Sequence, residues 1–391
     1  MDPMKTVCAA SVLHGREAFE ALGEVVVLPD RQIARADLLD ADALVIRSKT
    51  RADRALLEGT HVSFVGTATA GFDHLDPAWL EDSGIRWCAA AGCNATSVAE
   101  YVVSALLSLA NRHGFTLGGR TLGVVGVGQV GRRVVARARA LGMDVRQNDP
   151  PRQLAEGDAE LRPLDEILPD CDIVTLHVPL TDGGPFATRG MADCRFLARL
   201  KPGAIFFNAS RGEVVDETAL KLALARGQVS RAVLDVWDHE PDCDPELLRV
   251  VEFGTPHIAG YSWDGKLTGT EMIYREACRF FELESRAWSR DTVPSPGGND
   301  DLRADVRGLS FEEALWAIVR QAYDIARDDR DLREPPEPDP AARAERFERL
   351  RKKYWTRREF NAFTVHAVGA DDRLRGALAA LGFKVAAAAT E

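Results

Sequence analysis

The 391-residue chain contains no Cys-x-x-Cys pair, no apolar run of membrane-spanning length and no excess of basic charge. Its seven cysteines, Cys8, Cys88, Cys93, Cys171, Cys194, Cys243 and Cys278, are scattered and odd in number, which argues against a disulfide framework or a zinc site and for reduced thiols in a cytosol. The net charge of −11 excludes a general binder of nucleic acid or anionic membrane, because an acidic surface attracts neither. An anionic small substrate would need a locally basic pocket. Met1-Asp-Pro-Met-Lys5 offers no apolar signal region. The expectation is a cytoplasmic protein without a metal, nucleic-acid or membrane partner. Hydrophobic residues at 46% and charged ones at 28% suit a globular chain, and the length allows two or three domains.

What is present is a cation, a carboxylate and an imidazole, each inside its own short motif: Asn208-Ala-Ser-Arg211-Gly212, Asp235-Val-Trp-Asp-His-Glu240-Pro241 and Thr255-Pro-His257-Ile-Ala-Gly260. Taken singly, an Arg before Gly can serve a turn, a Glu before Pro can end a strand, and a lone His is more often structural than catalytic. Together they are the parts that remove a proton and a hydride from a hydroxy acid. Arg211 can hold a substrate carboxylate in a two-point fork, and His257 can exchange the hydroxyl proton if Glu240 fixes its tautomer. No step needs a metal.

A dinucleotide site precedes these motifs. Thr121-Leu-Gly-Val-Val-Gly126-Val-Gly128-Gln129-Val130-Gly131 passes from an apolar strand through G-x-G-x-x-G into a helix reaching about Leu141. The first glycine permits the tight turn, the second lets backbone approach a pyrophosphate, and the third allows close packing of a helix whose N-terminus faces the phosphates. The spacing alone is a weak signal; its strand-to-helix context strengthens it. Asp149, at the tip of the next strand, stands where a carboxylate bonds the adenosine ribose hydroxyls and repels a 2′-phosphate, which predicts NAD over NADP. Arg146 and Arg152 lie close by.

Strand-like runs near 6–12, 24–28, 43–47, 63–67 and 86–88, with helices between them, predict a small parallel α/β domain whose strand-end loops wall one side of a cleft. A long helix over about Val98–Arg112, started by a Ser97/Glu100 capping box, leads to the dinucleotide domain. A helix over about Leu267–Phe281 crosses back to complete the first domain. The expected division is 1–96 with 262–285 for substrate, 97–261 for NAD, and 286–391 for a C-terminal domain reached through a Pro/Gly-rich linker. That tail predicts a helix over Phe311–Arg327 begun by Ser310 and Glu313, then a strand–helix–strand pattern across Phe363–Val385. Its apolar face, Ala314, Leu315, Ile318, Val319 and Ala322, suggests dimerisation or packing on its own chain.

With these motifs in this order, the chain resembles the D-isomer-specific 2-hydroxyacid dehydrogenase family. Ile46-Arg47-Ser48-Lys-Thr50, Phe64-Val-Gly-Thr67-Ala-Thr69-Ala-Gly71-Phe-Asp73-His74, Ala91-Gly92-Cys93-Asn94-Ala95, Gly184-Pro185-Phe-Ala-Thr188, Ile258-Ala-Gly260-Tyr261 and the tail segments Phe347–Tyr354 and Arg357–Phe360 are similar to a branch that oxidises a phosphorylated four-carbon 2-hydroxy acid in vitamin B6 biosynthesis. The resemblance implies a Rossmann-type doubly wound NAD domain, a flavodoxin-like substrate domain and a small α+β dimerisation domain, hence a homodimer. It makes Arg211 and Glu240 active-site residues and His257 the proton donor or acceptor. Ser48, Thr69 and Tyr261 match substrate contacts, and Gln129, Val130, Asp149, Val178, Ala209, Asp235 and Gly260 match cofactor contacts beside Gly126, Gly128 and Gly131. Arg47 stands as a phosphate partner or a strand-end ion-pair residue. Two departures are Val178, where the branch often carries Thr, and an opening strand without the usual acidic segment. A 3-phosphoglycerate or glyoxylate dehydrogenase of the same family, and a NAD-responsive binding protein on the same fold, are the alternatives.

Overall fold

The computed structural model describes residues 4–284 and 287–387, so the expected boundary at 285/286 falls outside the described residues. The chain divides into two compact units, residues 1–95 with 261–298 and residues 96–260 with 299–391.

In the first unit β1 (Met4–Ala9), β2 (Gly23–Leu28), β3 (Ala43–Ile46), β4 (Phe64–Thr67) and β5 (Arg86–Ala89) form a parallel sheet in the order β2-β1-β3-β4-β5. All four residues of β3 and of β4 are buried, as expected of strands covered on both faces. This is the doubly wound, flavodoxin-like order, with the polar loops Arg47–Thr50 and Ala68–His74 following the carboxyl ends of β3 and β4. The returning helix, Trp263–Phe280, begins earlier than the sequence pattern suggested. Ser262 caps it by accepting from the Gly265 amide at 2.8 Å. It lies along β4 and β5, and its Tyr274 meets Phe19 and Trp288 edge-on.

The second unit holds β6 (Thr121–Val125), β7 (Asp144–Asn148), β8 (Ile173–Leu176), β9 (Ala204–Asn208), β10 (Val229–Leu234) and β11 (Phe253–Gly254), all parallel, in the order β11-β10-β9-β8-β6-β7. Strand order reverses beside β6, where an open α/β sheet binds its ligand. The tail adds β12 (Asp301–Asp305), β13 (Thr364–Val368) and β14 (Lys384–Val385) as a three-stranded parallel sheet in that order. Its helix Asp372–Leu381 packs on the helix Gly131–Ala140, and its Leu332 and Phe347 enter the apolar core beneath β8–β10. No helix among the described residues is long and apolar enough to cross a membrane.

Three local expectations need correction. The long helix runs Ala95–His113, so Ser97 and Glu100 lie inside it and form no capping box. Their side chains bond the tail instead: Ser97 Oγ donates to Glu359 at 2.7 Å, and Glu100 accepts from the Phe360 amide at 2.8 Å. The tail helix starts with the expected Ser310/Glu313 box but stops at Ala322, because Tyr323 is extended and Asp324 caps a second helix, Ile325–Arg333. The apolar face of the first of these helices is buried within this chain, so it gives no argument for a dimer.

Candidate active site

Every catalytic and cofactor candidate of the second unit follows the carboxyl end of a strand of one sheet: Gly126 after β6, Asp149 after β7, Val178 after β8, Ala209 and Arg211 after β9, Asp235 and Glu240 after β10, and His257 after β11. The shared edge is a consequence of parallel pairing, since each crossover returns the chain to the same side.

The turn after β6 fits a dinucleotide. Gly126 has φ +85°, a left-handed conformation that a side chain would strain, and a methyl group at Gly131 would sit 2.0 Å from the Gly126 carbonyl oxygen. Gly128 has nothing within 4 Å of its missing side chain, leaving its backbone open to a phosphate. Gln129 and Val130 lead into the helix, with the Gln129 carbonyl held by Arg133 at 2.7 Å. Asp149 caps the next helix through the Arg152 amide at 3.2 Å and accepts from the Val127 amide at 2.9 Å, which ties the strand-end acid to the glycine turn. Arg152 is engaged by Glu156 and the Val127 carbonyl, which removes the nearest candidate for a 2′-phosphate contact.

His257 and Glu240 form a dyad, with Nδ1 2.7 Å from Oε2; the two side chains are 32% and 20% exposed, so both are reachable yet shielded. The other Glu240 oxygen accepts from the Trp237 amide at 3.0 Å. Burial pushes the Glu240 carboxyl up, but the His257 imidazole, its hydrogen bond and the Trp237 amide outweigh burial and hold it below the usual range. An ionised carboxylate only accepts, so Nδ1 carries a proton and Nε2 is the ring nitrogen left to exchange one.

Arg211 is half-buried on a turn shaped by Asn208, which donates to the Arg211 carbonyl at 2.8 Å and accepts from Ser210. Gly212 lets that turn lie against the Glu240 loop, since a methyl group there would fall 2.0 Å from the Trp237 carbonyl. Trp237 in turn donates its indole N–H to the Thr255 carbonyl at 3.0 Å, fixing the Glu240 loop to the His257 loop. Asp235, read as a cofactor contact, is 2% exposed and its carboxylate accepts from Thr255 Oγ and from the Ile258 and Ala259 amides at 2.7–2.9 Å. Its evident work is to hold the His257 loop. Gly260 ends that loop and is the last residue of the second unit's first segment.

In the first unit, Ser48 is exposed and Arg47 half-buried at the end of β3. Thr69 Oγ donates to the Gly71 carbonyl at 2.7 Å; it therefore accepts from Thr67 Oγ at 2.8 Å, and Thr67 accepts from His74 Nε2 at 2.8 Å. Burial pushes the His74 imidazole down to about 4, so it is neutral and its Nε2 carries the proton. Lys266, which the sequence reading passed over, places its ammonium 4.7 Å from the Tyr261 ring centre. Burial, and after it the Arg47 guanidinium, push that ammonium down to about 8. Neither cation has a carboxylate partner among the described residues. The signal for Lys266 was its place one turn into a helix capped by Ser262.

A glycine turn at the point of strand reversal, joined on one sheet edge by a histidine–glutamate dyad and an arginine, defines a NAD-dependent dehydrogenase. Residues 97–259 match the model of the D-isomer specific 2-hydroxyacid dehydrogenase NAD binding domain, and residues 302–382 match a domain of unknown function, DUF3410. The erythronate-4-phosphate dehydrogenase of Escherichia fergusonii is 44% identical over 97% of this chain and 98% of its own length, and that of Shigella boydii serotype 4 is equally similar. Among solved structures, 3-phosphoglycerate dehydrogenase of Entamoeba histolytica with bound NAD superposes with a TM-score of 0.61 at 25% identity, covering 71% of this chain and 95% of that one. D-Lactate dehydrogenase of Aquifex aeolicus, 24% identical with a TM-score of 0.57 over 71% of this chain and 95% of its own, shares the fold. The chain belongs to the erythronate-4-phosphate dehydrogenase family, among the D-isomer specific 2-hydroxyacid dehydrogenases.

Proposed function

We propose that the protein oxidises 4-phospho-D-erythronate at C2 to 2-oxo-3-hydroxy-4-phosphobutanoate, a step in pyridoxal 5′-phosphate biosynthesis, and that it works in the cytoplasm. The observation that carries the chemistry is the His257–Glu240 dyad at 2.7 Å. His257 Nε2 takes the C2 hydroxyl proton while Glu240 stabilises the imidazolium that forms. The glycine turn would hold NAD, which would supply the acceptor for the hydride leaving C2. Arg211 holds the α-carboxylate and the C2 oxygen, drawing charge toward the forming carbonyl. Gly126, Gly128, Gln129, Val130 and Gly131 would hold the pyrophosphate, Asp149 the adenosine ribose, and Val178, Ala209, Asp235 and Gly260 would complete the cofactor contacts.

For the substrate's phosphate we assign Arg47, Ser48, Thr69 and Tyr261, and to these we add Lys266. Two neighbouring cations without carboxylate partners among the described residues supply what a dianion requires. The Thr69 hydroxyl proton is committed to the Gly71 carbonyl, so Thr69 must turn from that oxygen to donate to phosphate. A panel of 4-phosphoerythronate, 3-phosphoglycerate, glycerate and glyoxylate tests the reading. Highest kcat/KM on 4-phosphoerythronate is expected; preference for 3-phosphoglycerate or glyoxylate moves the protein elsewhere in its family, and no turnover with any of them overturns the dehydrogenase reading. We also propose a homodimer assembled through the tail, whose Leu309 and Val368 are exposed. Light scattering of the full chain should give twice the mass of one chain, and a monomer refutes it.

A further inference from the structure

His257 has φ +55°, a left-handed conformation that costs a non-glycine residue about 1–2 kcal/mol and persists only where the surroundings enforce it. Part of the enforcement is local: the His257 amide donates to the Asp235 carbonyl at 2.7 Å, and the Asp235 carboxylate takes the next two amides. The remainder comes from far along the chain. Arg357, fully buried, donates to the Ala259 carbonyl at 3.0 Å and to the Ser97 carbonyl at 2.7 Å, with its guanidinium 3.7 Å above the Tyr323 ring. At the other end of the same loop, Asp329 accepts from the Gly254 amide at 2.7 Å.

We propose that the tail, whose residues 302–382 match a domain of unknown function, is a positioning element for the catalytic loop of its own chain: Asp329 and Arg357 grip residues 254–259 at both ends and hold His257 in its strained, productive geometry. A dimerisation module would not need this. A charged side chain with no exposed surface costs several kcal/mol to bury unless it is paired, and Arg357 is directed at the backbone carbonyl two residues after the proton acceptor. The tail reaches the partner carboxylate as well. Arg343 donates to Asp242 at 3.0 Å on the Glu240 loop, and the Arg351 charge helps hold Glu240 ionised. The inference rests on His257 being the proton acceptor, and Arg357 acts through it as a positioning residue.

The test uses the full-length protein. Arg357→Lys keeps the charge but replaces a fork by a point, and Arg357→Met removes both. Expected are losses in kcat of about 10-fold and 100-fold, with KM and NADH affinity within threefold, because displacement of a reacting group by about 1 Å costs this much. Amide exchange at residues 258 and 259 should quicken in both variants before any fall in melting temperature. Should the variants fail to fold, wild-type exchange decides: these amides must exchange only through global unfolding. Wild-type kcat in folded Arg357→Met, or fast local exchange in the wild type, overturns the proposal. His257→Ala tests the underlying reading separately, since full activity there would refute the acceptor role and leave the exchange result standing.

Discussion

Substituting Glu240 by Gln probes the dyad most sharply, because the structure fixes what each carboxylate oxygen does. Oε1 accepts from the Trp237 amide and Oε2 from His257 Nδ1. Glutamine has one acceptor and one donor for these two sites. If its NH2 faces Trp237, two donors collide and the loop shifts; if it faces His257, the imidazole must present Nδ1 as acceptor, which places the proton on Nε2 and abolishes the base. The charge is lost as well. A charge-assisted hydrogen bond is worth about 1.5–3 kcal/mol, and a full charge at about 4 Å adds up to about 4 kcal/mol at an effective dielectric near 20. The 32% and 20% exposure of the pair admits enough solvent to reduce the sum to about 3–4 kcal/mol. At about 1.4 kcal/mol per decade this lowers kcat by about 10²–10³. NADH formation followed by absorbance gives kcat and KM, and fluorescence titration gives NADH affinity. KM and NADH affinity should stay within threefold. A Glu240→Gln enzyme with kcat within threefold of wild type would refute the reasoning, because one arrangement of the amide displaces the loop, the other puts the proton on Nε2, and both lose the charge.

His257→Ala should cost about 10²–10⁴ in kcat with cofactor binding retained, measured in the same assay. Asp149→Ser should raise NADP use relative to NAD, read as a ratio of kcat/KM values, and an unchanged ratio would deny Asp149 the ribose. Lys266→Met should raise KM for 4-phosphoerythronate about 10- to 100-fold and leave a slow, unphosphorylated 2-hydroxy acid unaffected. The pH sign follows from an ammonium held at about 8: it is charged below that value and neutral above it, so wild-type KM should climb between about pH 7 and pH 9. Lys266→Met should show no such climb, and a parallel climb in the variant would deny Lys266 the phosphate.

The parts of this fold that were legible in the sequence are those where one residue type answers one geometric demand. Three glycines at fixed spacing between an apolar strand and a helix mark the strand-to-helix turn after β6, and the structure shows why at Gly131, where backbone leaves no room for a methyl group. Short β-branched runs between helices marked all five strands of the first sheet to within a few residues. Close approaches between segments distant in sequence were not legible. Gly212 looked like an ordinary turn glycine, yet it lets the Arg211 turn rest on Trp237. Lys266 was passed over because the helix was expected to start at Leu267, which set it outside the turn that Ser262 caps.

Ser97 and Glu100 show how a correct local rule can hide a long-range contact. A Ser followed three residues later by Glu, ahead of an apolar run, is the signature of a helix start, and an exposed pair at a true start would satisfy its own backbone. Here the helix had already begun at Ala95, so both side chains were left facing inward at no more than 1% exposure. Polar groups buried on a largely apolar helix must find partners or cost several kcal/mol. The partners are Glu359, the Phe360 amide and, beside them, the Arg357 guanidinium 3.9 Å from Glu100. The same arginine fork that answers this helix also holds the Ala259 carbonyl. The polar pair that looked like a cap is therefore one end of the connection between the tail and the histidine loop. It follows that Ser97→Ala should weaken that connection without touching a catalytic group: a modest fall in kcat, within about tenfold, with amide exchange at 258–259 quickened as in Arg357→Lys. Unchanged exchange in a folded Ser97→Ala protein would show that Arg357 reaches the loop without this support.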